Sequence, residues 1–225
     1  AWVLSELGQD PSFIIGGVLS NLGVNARAGK GPHFVIEADE YDRMFLGLKP
    51  TIEIVTNIEH DHPDCYPTAQ DFEDAFEQFA SLLPGDGTLI ACADDPGAAR
   101  LAAEVRETGK QVVTYGLSIE MGVYAENIKS NQDGGFSFDA IVLGFRSSVD
   151  LQVPGQHNIR NALAVLAVVS LLGLDVEGAS RALGTFKGAG RRFEVKGEAN
   201  GITIIDDYAH HPTEIRATLA AARAR

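Results

Sequence analysis

The chain repeats one texture. A short apolar run is followed at once by a polar, titratable segment, and then by a stretch with helical periodicity. Ser12 to Ile15, His33 to Ala38, Ile52 to Ile58, Thr88 to Cys92 and Gln111 to Tyr115 read as strands. Several are apolar on both faces, as strands inside a parallel sheet are. Thr68 to Leu83 reads as a helix, since Phe72, Phe76, Phe79 and Leu83 recur at spacings of four, three and four. Thr68 suits its N-cap and Pro84-Gly85 its stop. Pro96 to Thr108 is a second helix, with Pro96 suited to the first turn. Such alternation predicts an α/β fold built on an open, mostly parallel sheet.

From Gly122 to Val153 the texture changes. Alternating segments at Tyr124–Lys129, Phe136–Val142 and Val149–Val153, with turn residues from Asn131 to Gly135, predict a small antiparallel β subregion. A long helix is expected from His157 to about Leu172 and a shorter one from Val176 to Leu183. Gly184 to Gly190 holds three glycines in seven residues and reads as a linker. The chain thus divides into a unit over 1–186 and a second α/β unit over 187–225. The second runs strand, Asn200-Gly201 turn, strand, loop, and a helix from Pro212 to Arg225. Ala1 to Leu7 reads as the end of an amphipathic helix stopped by Gly8, and the last helix simply stops. Both ends read as cuts in a longer chain.

The formal net charge of −13 makes nucleic acid and anionic membrane poor default partners. Any phosphate handled here needs local Arg or Lys, a helix N-terminus or a metal. Cys65 and Cys92 are far apart and fit no zinc spacing, which points to a reducing compartment without a disulfide framework. No apolar run reaches membrane-span length and no signal peptide is visible.

Chemistry concentrates where the apolar runs end. Glu37-Ala38-Asp39-Glu40-Tyr41-Asp42 follows the run His33 to Ile36, at the strand end where open α/β sheets place ligands. Its hard oxygens suit Mg²⁺, although a solvated acidic turn would look the same. Thr56 to Asp64 gathers Glu59, His60, Asp61, His62 and Asp64, a metal-site composition that fits no zinc template. Asn158 and Asn161, three apart at a helix start, share a face and could hydrogen-bond a base or ribose, or simply cap the helix. Arg191-Arg192 suits phosphate, or a surface ion pair. Asp206 to Pro212 is again polar and titratable after the apolar run Ile202 to Ile205. Each segment is weak alone; their shared placement carries the weight.

Taken together and in order, "VIEADEYDRMFLGLKP", "IVTNIEHDHPDCY", "VPGQHNIRNALA", "GAGRRFE" and "IIDDYAHHPTEI" closely resemble the signatures of the Mur ligases of peptidoglycan synthesis. The resemblance covers nearly the whole chain. It implies a Mur ligase central ATPase-type domain followed by the start of a Rossmann-like C-terminal domain. "GGVLSNLGVNARAG" and the EADE and DDYAHHP forms look most like the branch that joins L-alanine to UDP-N-acetylmuramate. The branch that attaches recycled murein tripeptide is next. The implied cofactors are ATP and Mg²⁺, and the implied location is cytoplasmic. ATP would phosphorylate the substrate carboxylate, and the amine of L-alanine would displace phosphate from the acyl phosphate. By the family pattern Glu37 and His62 would bind Mg²⁺. His157, Asn158 and Asn161 would hold the adenosine end of ATP, and Asp207 would meet the nucleotide. Arg192 would contact phosphates, while Tyr208 and His210 would lie near the acceptor. Glu37, His62, Arg192 and His210 form the implied catalytic set.

The sequence also departs from that pattern. It contains no G-x-x-x-x-G-K followed by Ser or Thr. Gly23 to Lys30 ends in Gly-Lys, but the spacing is one residue too long and Gly31 follows. The UDP-binding domain of the family has no counterpart here. No lysine lies between Asp64 and Pro84 to supply the carbamylated lysine of some relatives. Other readings remain open at this level: a tripeptide ligase or folylpolyglutamate synthase-like ligase, a metal-dependent hydrolase using His60, Asp61 and His62, or a non-catalytic nucleotide-binding domain.

Overall fold

The apolar runs pair into three sheets. The computed structural model describes residues 1–118 and 122–223. Helix α1 (Trp2–Glu6) leads to strands β1 (Ser12–Ile14), β2 (Ala26–Arg27) and β3 (Phe34–Ile36). β1 lies between the other two, antiparallel to β2 and parallel to β3. A 3-10 segment, Tyr41–Gly47, then precedes β4 (Ile52–Val55), α2 (Ala69–Ser81), β5 (Thr88–Cys92), α3 (Pro96–Glu107) and β6 (Gln111–Gly116). β4, β5 and β6 run parallel. β7 (Val123–Ser130) continues the parallel order, and β8 (Phe136–Val142) and β9 (Phe145–Leu151) complete a six-stranded sheet as an antiparallel meander. Helices α4 (Gln156–Leu171) and α5 (Val176–Gly184) follow. A separate hairpin of β10 (Glu194–Ala199) and β11 (Ile202–Asp206) precedes α6 (Pro212–Arg223). The helix expected over Pro212 to Arg225 therefore forms, with its last two residues outside the described ones.

Local signals explain most element ends. The Thr68 hydroxyl accepts the Asp71 amide hydrogen at 3.1 Å while the Asp71 carboxylate accepts the Thr68 amide at 2.9 Å, a reciprocal cap on α2. Asp95 caps α3 through the Ala98 amide at 2.8 Å, with Pro96 next. Asn200-Gly201, both at positive φ, closes the β10–β11 hairpin. The last strand of the meander begins at Phe145 rather than Val149. Its turn is Leu143-Gly144, again both at positive φ. Leucine is an unusual residue for that conformation, which hid the turn. The five leading strands also do not join one sheet, because β1 and β3 pair with each other, apart from β4, β5 and β6.

The main core lies between the six-stranded sheet and α3, α4 and α5, with Ile159, Leu163 and Leu166 of α4 wholly buried. A smaller aromatic core positions the polar loops. Phe45, Tyr66, Phe72 and Phe79 are buried together. Phe45 stacks on Phe79 at 4.7 Å, and Tyr66 meets Phe72 edge-on at 4.9 Å. Phe45 belongs to the segment after Glu37–Asp42 and Tyr66 to the segment after Glu59–Asp64, so one cluster pins both loops. The Tyr66 hydroxyl reinforces this by donating to the Glu40 carbonyl.

The glycine-rich stretch 184–190 is not a free tether. Asn21 donates to the Thr185 carbonyl at 2.8 Å and accepts the Lys187 amide at 2.7 Å. Ser20 donates to the Gly188 carbonyl, Gly190 donates to the Val18 carbonyl, and Leu19 and Ala189 pair as a bridge.

Candidate active site

The polar ends of β3, β4 and β11 and the start of α4 supply the candidate residues. Glu37 directly follows β3 and is exposed. Its Oε2 accepts the Gly16 amide hydrogen at 2.7 Å. His62 sits on the loop after β4 at φ 52, a left-handed conformation held by its surroundings. Its amide donates to Asp61 Oδ1 at 2.7 Å, and its Nε2 lies 3.4 Å from Glu40 Oε1 and 4.0 Å from Asp61 Oδ2. Tyr41 packs edge-on against the His62 ring at 5.1 Å and donates its hydroxyl to Asp64 at 3.0 Å. That bond to a carboxylate, with the carboxylate's charge, pushes the Tyr41 phenol up to about 12.

Glu37 and His62 make no hydrogen bond or ion pair with each other: one turns to Gly16, the other to Glu40 and Asp61. Among the described residues no group of three His, Cys, Asp or Glu stands ready to hold an ion. His60, Asp61 and His62 do not converge either. His60 is exposed, and its Nε2 lies 2.8 Å from the Tyr66 carbonyl with its ring edge-on to Phe72 at 6.2 Å, so that nitrogen is engaged by the backbone and turned away from His62.

The α4 start is ordered by its own side chains. Asn158 donates to the Pro154 carbonyl at 2.7 Å, and Asn161 donates to Asn158 Oδ1 at 3.3 Å. The two amides share a face, as their spacing predicts, but they also brace each other. Gly155 is at φ 95, and a side chain there would run into the His157 ring. Burial lowers the pKa of His157; the Asp207 carboxylate opposes this, and the Arg160 and Arg192 cations reinforce it. His157 thus feels charges from its own helix and from both polar segments of the second unit. Arg160 is itself held by Asp94, Nε to Oδ2 at 2.6 Å. That pair was not among the sequence candidates.

In the second unit Asp207 is a structural hub. It accepts from the Phe193 amide at 2.7 Å, the Ala209 amide at 2.8 Å and the Thr218 hydroxyl at 3.1 Å. It therefore orients both Arg192 and the Tyr208–His210 segment. The Arg192 guanidinium lies 5.9 Å from the Tyr208 ring centre and 3.9 Å from Glu214, and the Arg191 guanidinium lies 4.7 Å from the same ring. His210 packs edge-on against Tyr208 at 5.3 Å, and its Nδ1 lies 3.1 Å from the Tyr208 carbonyl. Two further residues join the units. The Thr213 hydroxyl donates to Glu59 Oε1 at 2.6 Å, and His211 Nδ1 lies 3.6 Å from Glu59 Oε2. His211 lies inside the polar segment Asp206 to Pro212 read from sequence and Thr213 just beyond it, at the start of the expected helix, but nothing in the sequence paired either with Glu59. The assembly thus presents carboxylates, imidazoles, paired amides and two arginines around a junction between units, which is equipment for binding polyanions and holding charge.

The Mur ligase middle domain family matches residues 19–169, and the Mur ligase glutamate ligase domain family matches residues 191–225. A UDP-N-acetylmuramate–L-alanine ligase of Renibacterium salmoninarum is 49% identical over 223 residues, covering 99% of this chain and 48% of its own length. The crystal structure of a UDP-N-acetylmuramate–alanine ligase from Thermotoga maritima superposes with TM-score 0.80 at 30% identity, over 99% of this chain and 49% of that one. A Thermotoga maritima MurF ligase in complex with ADP shares the fold at TM-score 0.77 and 18% identity, over 98% of this chain and 53% of that one. The chain spans about half the length of the curated relatives it matches.

Proposed function

From the premise that this chain belongs to the Mur ligase family, we propose that it forms part of a cytoplasmic ligase that joins L-alanine to UDP-N-acetylmuramate at the expense of ATP. The observation that carries the reading is the junction itself. Arg192 and Asp207 of one unit act electrostatically on His157 of the other, and Thr213 reaches Glu59 beside the His62 loop. The 49% identity to an alanine-adding relative supports the choice of L-alanine. No helix is long and apolar enough to cross a membrane among the described residues.

In this reading the units run over 1–186 and 187–225. Asn158, Asn161 and His157 take the adenosine end of ATP, Asp207 lies on the nucleotide side, and Arg192 meets the phosphates. Tyr208 and His210 border the acceptor. The donor set suits Mg²⁺: Glu37 offers a hard carboxylate and His62 sits among further carboxylates. With two protein groups, substrate phosphate oxygens and water would complete the shell, which is how Mg²⁺ is commonly held. When bound, the ion supplies neutralisation of phosphate charge. The protein's share is to orient the carboxylate that is phosphorylated and the amine that then attacks. The hydrolase reading is less well supported, because His60 Nε2 is engaged by the Tyr66 carbonyl and, among the described residues, no three His, Cys, Asp or Glu gather as a metal group.

The test is a hybrid in which this chain replaces the matching half of the Renibacterium salmoninarum ligase. ADP release that needs both UDP-N-acetylmuramate and L-alanine is the expected result. Release driven by another amino acid or peptide, or none at all, would defeat the proposal.

A further inference from the structure

Within the loop after β4, Glu59 differs from its neighbours in where its side chain goes. His60 binds the Tyr66 carbonyl, Asp61 binds the His62 amide and His62 faces Glu40, all inside the first unit. Both Glu59 oxygens instead face the second unit, 154 residues away along the chain. Oε1 accepts the Thr213 hydroxyl hydrogen at 2.6 Å, and Oε2 lies 3.6 Å from His211 Nδ1. The Thr213 hydroxyl also accepts from Arg216 at 3.4 Å, which turns its proton toward Glu59. Thr213 belongs to the first turn of α6 and His211 ends the Asp206–His211 segment, so Glu59 grips that segment where it becomes helix.

We propose that Glu59 is a positioning residue, seating the Asp207–Thr213 segment of the second unit against the His62 loop of the first. The assignment rests on the ligase reading above. In an acyl-phosphate mechanism the carboxyl carbon and the attacking nitrogen must come within about 3–3.5 Å, and a misplacement of about 1 Å costs on the order of a hundredfold in rate. Other ties between the units, such as the Leu19–Ala189 bridge and α4 against α6, lie on the linker and on the helices. Glu59 acts directly on the loop bearing His62. One short hydroxyl bond with a flanking imidazole fixes both the distance and the direction of approach.

Two measurements test this. In the 225-residue chain, Glu59→Ala and Thr213→Val are combined in a double-mutant cycle read by amide hydrogen exchange. Each substitution should speed exchange about tenfold in both 57–62 and 209–215, and the double variant should be no faster than either alone. Additive effects, or no change at the distant segment, would overturn the contact. Glu59→Gln keeps an acceptor for Thr213 and should recover most of the protection. In the hybrid ligase, Glu59→Ala should lower kcat/KM for L-alanine about tenfold, leave KM for ATP unchanged, and be largely rescued by Glu59→Gln. An active parent hybrid whose Glu59→Ala variant matches it overturns the positioning role alone. An inactive parent overturns the ligase reading and the positioning role with it.

Discussion

Gly16 and Glu37 are locked by one bond, the Gly16 amide donating to Glu37 Oε2 at 2.7 Å, and a methyl group on Gly16 would come within 2.8 Å of Glu37 Oε1. Glu37 is the carboxylate proposed above to hold Mg²⁺. Gly16→Ala must therefore move it without changing any titratable group. We expect the hybrid ligase carrying this substitution to need about tenfold more Mg²⁺ for half-maximal rate, since losing one charge-assisted bond is worth roughly 1.5–3 kcal/mol and part of that is recovered on relaxation. Gly16 is exposed, so the thermal midpoint should hardly move. An unaltered Mg²⁺ titration would detach Glu37 from the metal.

His62→Ala is expected to act on the same ion from the other side. It removes the imidazole that Glu40 and Asp61 flank at 3.4 and 4.0 Å. Turnover of the hybrid should fall by about a hundredfold or more, with a changed Mg²⁺ dependence. An unchanged rate with an unchanged Mg²⁺ requirement would take His62 out of the site.

The 225-residue chain alone should not ligate. It contains no G-x-x-x-x-G-K followed by Ser or Thr, the loop whose backbone amides and lysine cradle ATP phosphates. Steady-state ADP release on adding UDP-N-acetylmuramate, L-alanine, ATP and Mg²⁺ should match the blank without substrate. Substrate-dependent release would show that the acidic loops and arginines suffice.

What the sequence made legible was what neighbours in the chain decide. The α2 cap, its Phe72–Phe76–Phe79 stripe and the Asn200-Gly201 hairpin each follow from residues within one or two turns of each other. The candidate segments were readable for the same reason, since each sits directly behind an apolar strand. Partner choice was not readable. That β1 and β3 form their own sheet, that Asn21 fastens Thr185 and Lys187, and that Glu59 meets Thr213 depend on contacts between distant segments. The family resemblance supplied roles for Asn158 and Asp207, yet not that Asn158 is braced by Asn161 or that Asp207 already accepts three hydrogen bonds from its own unit.

Asp95 should prove more important than a helix cap. Its Oδ1 accepts both the Ala98 amide of α3 at 2.8 Å and the Ile58 amide at 3.0 Å, tying the helix to the loop that carries His62. Asp95→Ala removes a cap and leaves two amides short of an acceptor. A loss of about 2 kcal/mol is expected in urea unfolding, with Asp95→Asn losing about half as much. Equal stability of the alanine variant and the parent would show that water replaces the carboxylate.

Glu53 gives the chain a stability that depends on pH. It lies on β4, is 2% exposed, and neither carboxylate oxygen has a hydrogen-bond partner. Burial raises its pKa from 4.5 to about 8, and the Lys110 cation offsets only part of this. The folded chain therefore holds the proton more tightly than the unfolded chain. Below about pH 4.5 both states are protonated and Glu53 exacts no charge penalty. Between pH 4.5 and 8 the unfolded state releases the proton first, so stability falls as pH rises, reaching its full loss above pH 8. The shift corresponds to a penalty on the order of 3–5 kcal/mol at the alkaline end, at the upper limit. Glu53→Met keeps the volume and removes the ionisable group, so it should raise the unfolding midpoint at pH 8 and leave it nearly unchanged at pH 4. The difference between variant and parent should grow steadily across that range. A constant difference from pH 4 to pH 8 would mean that Glu53 takes up and releases its proton in the folded chain as it does in the unfolded chain, so that burial does not raise its pKa.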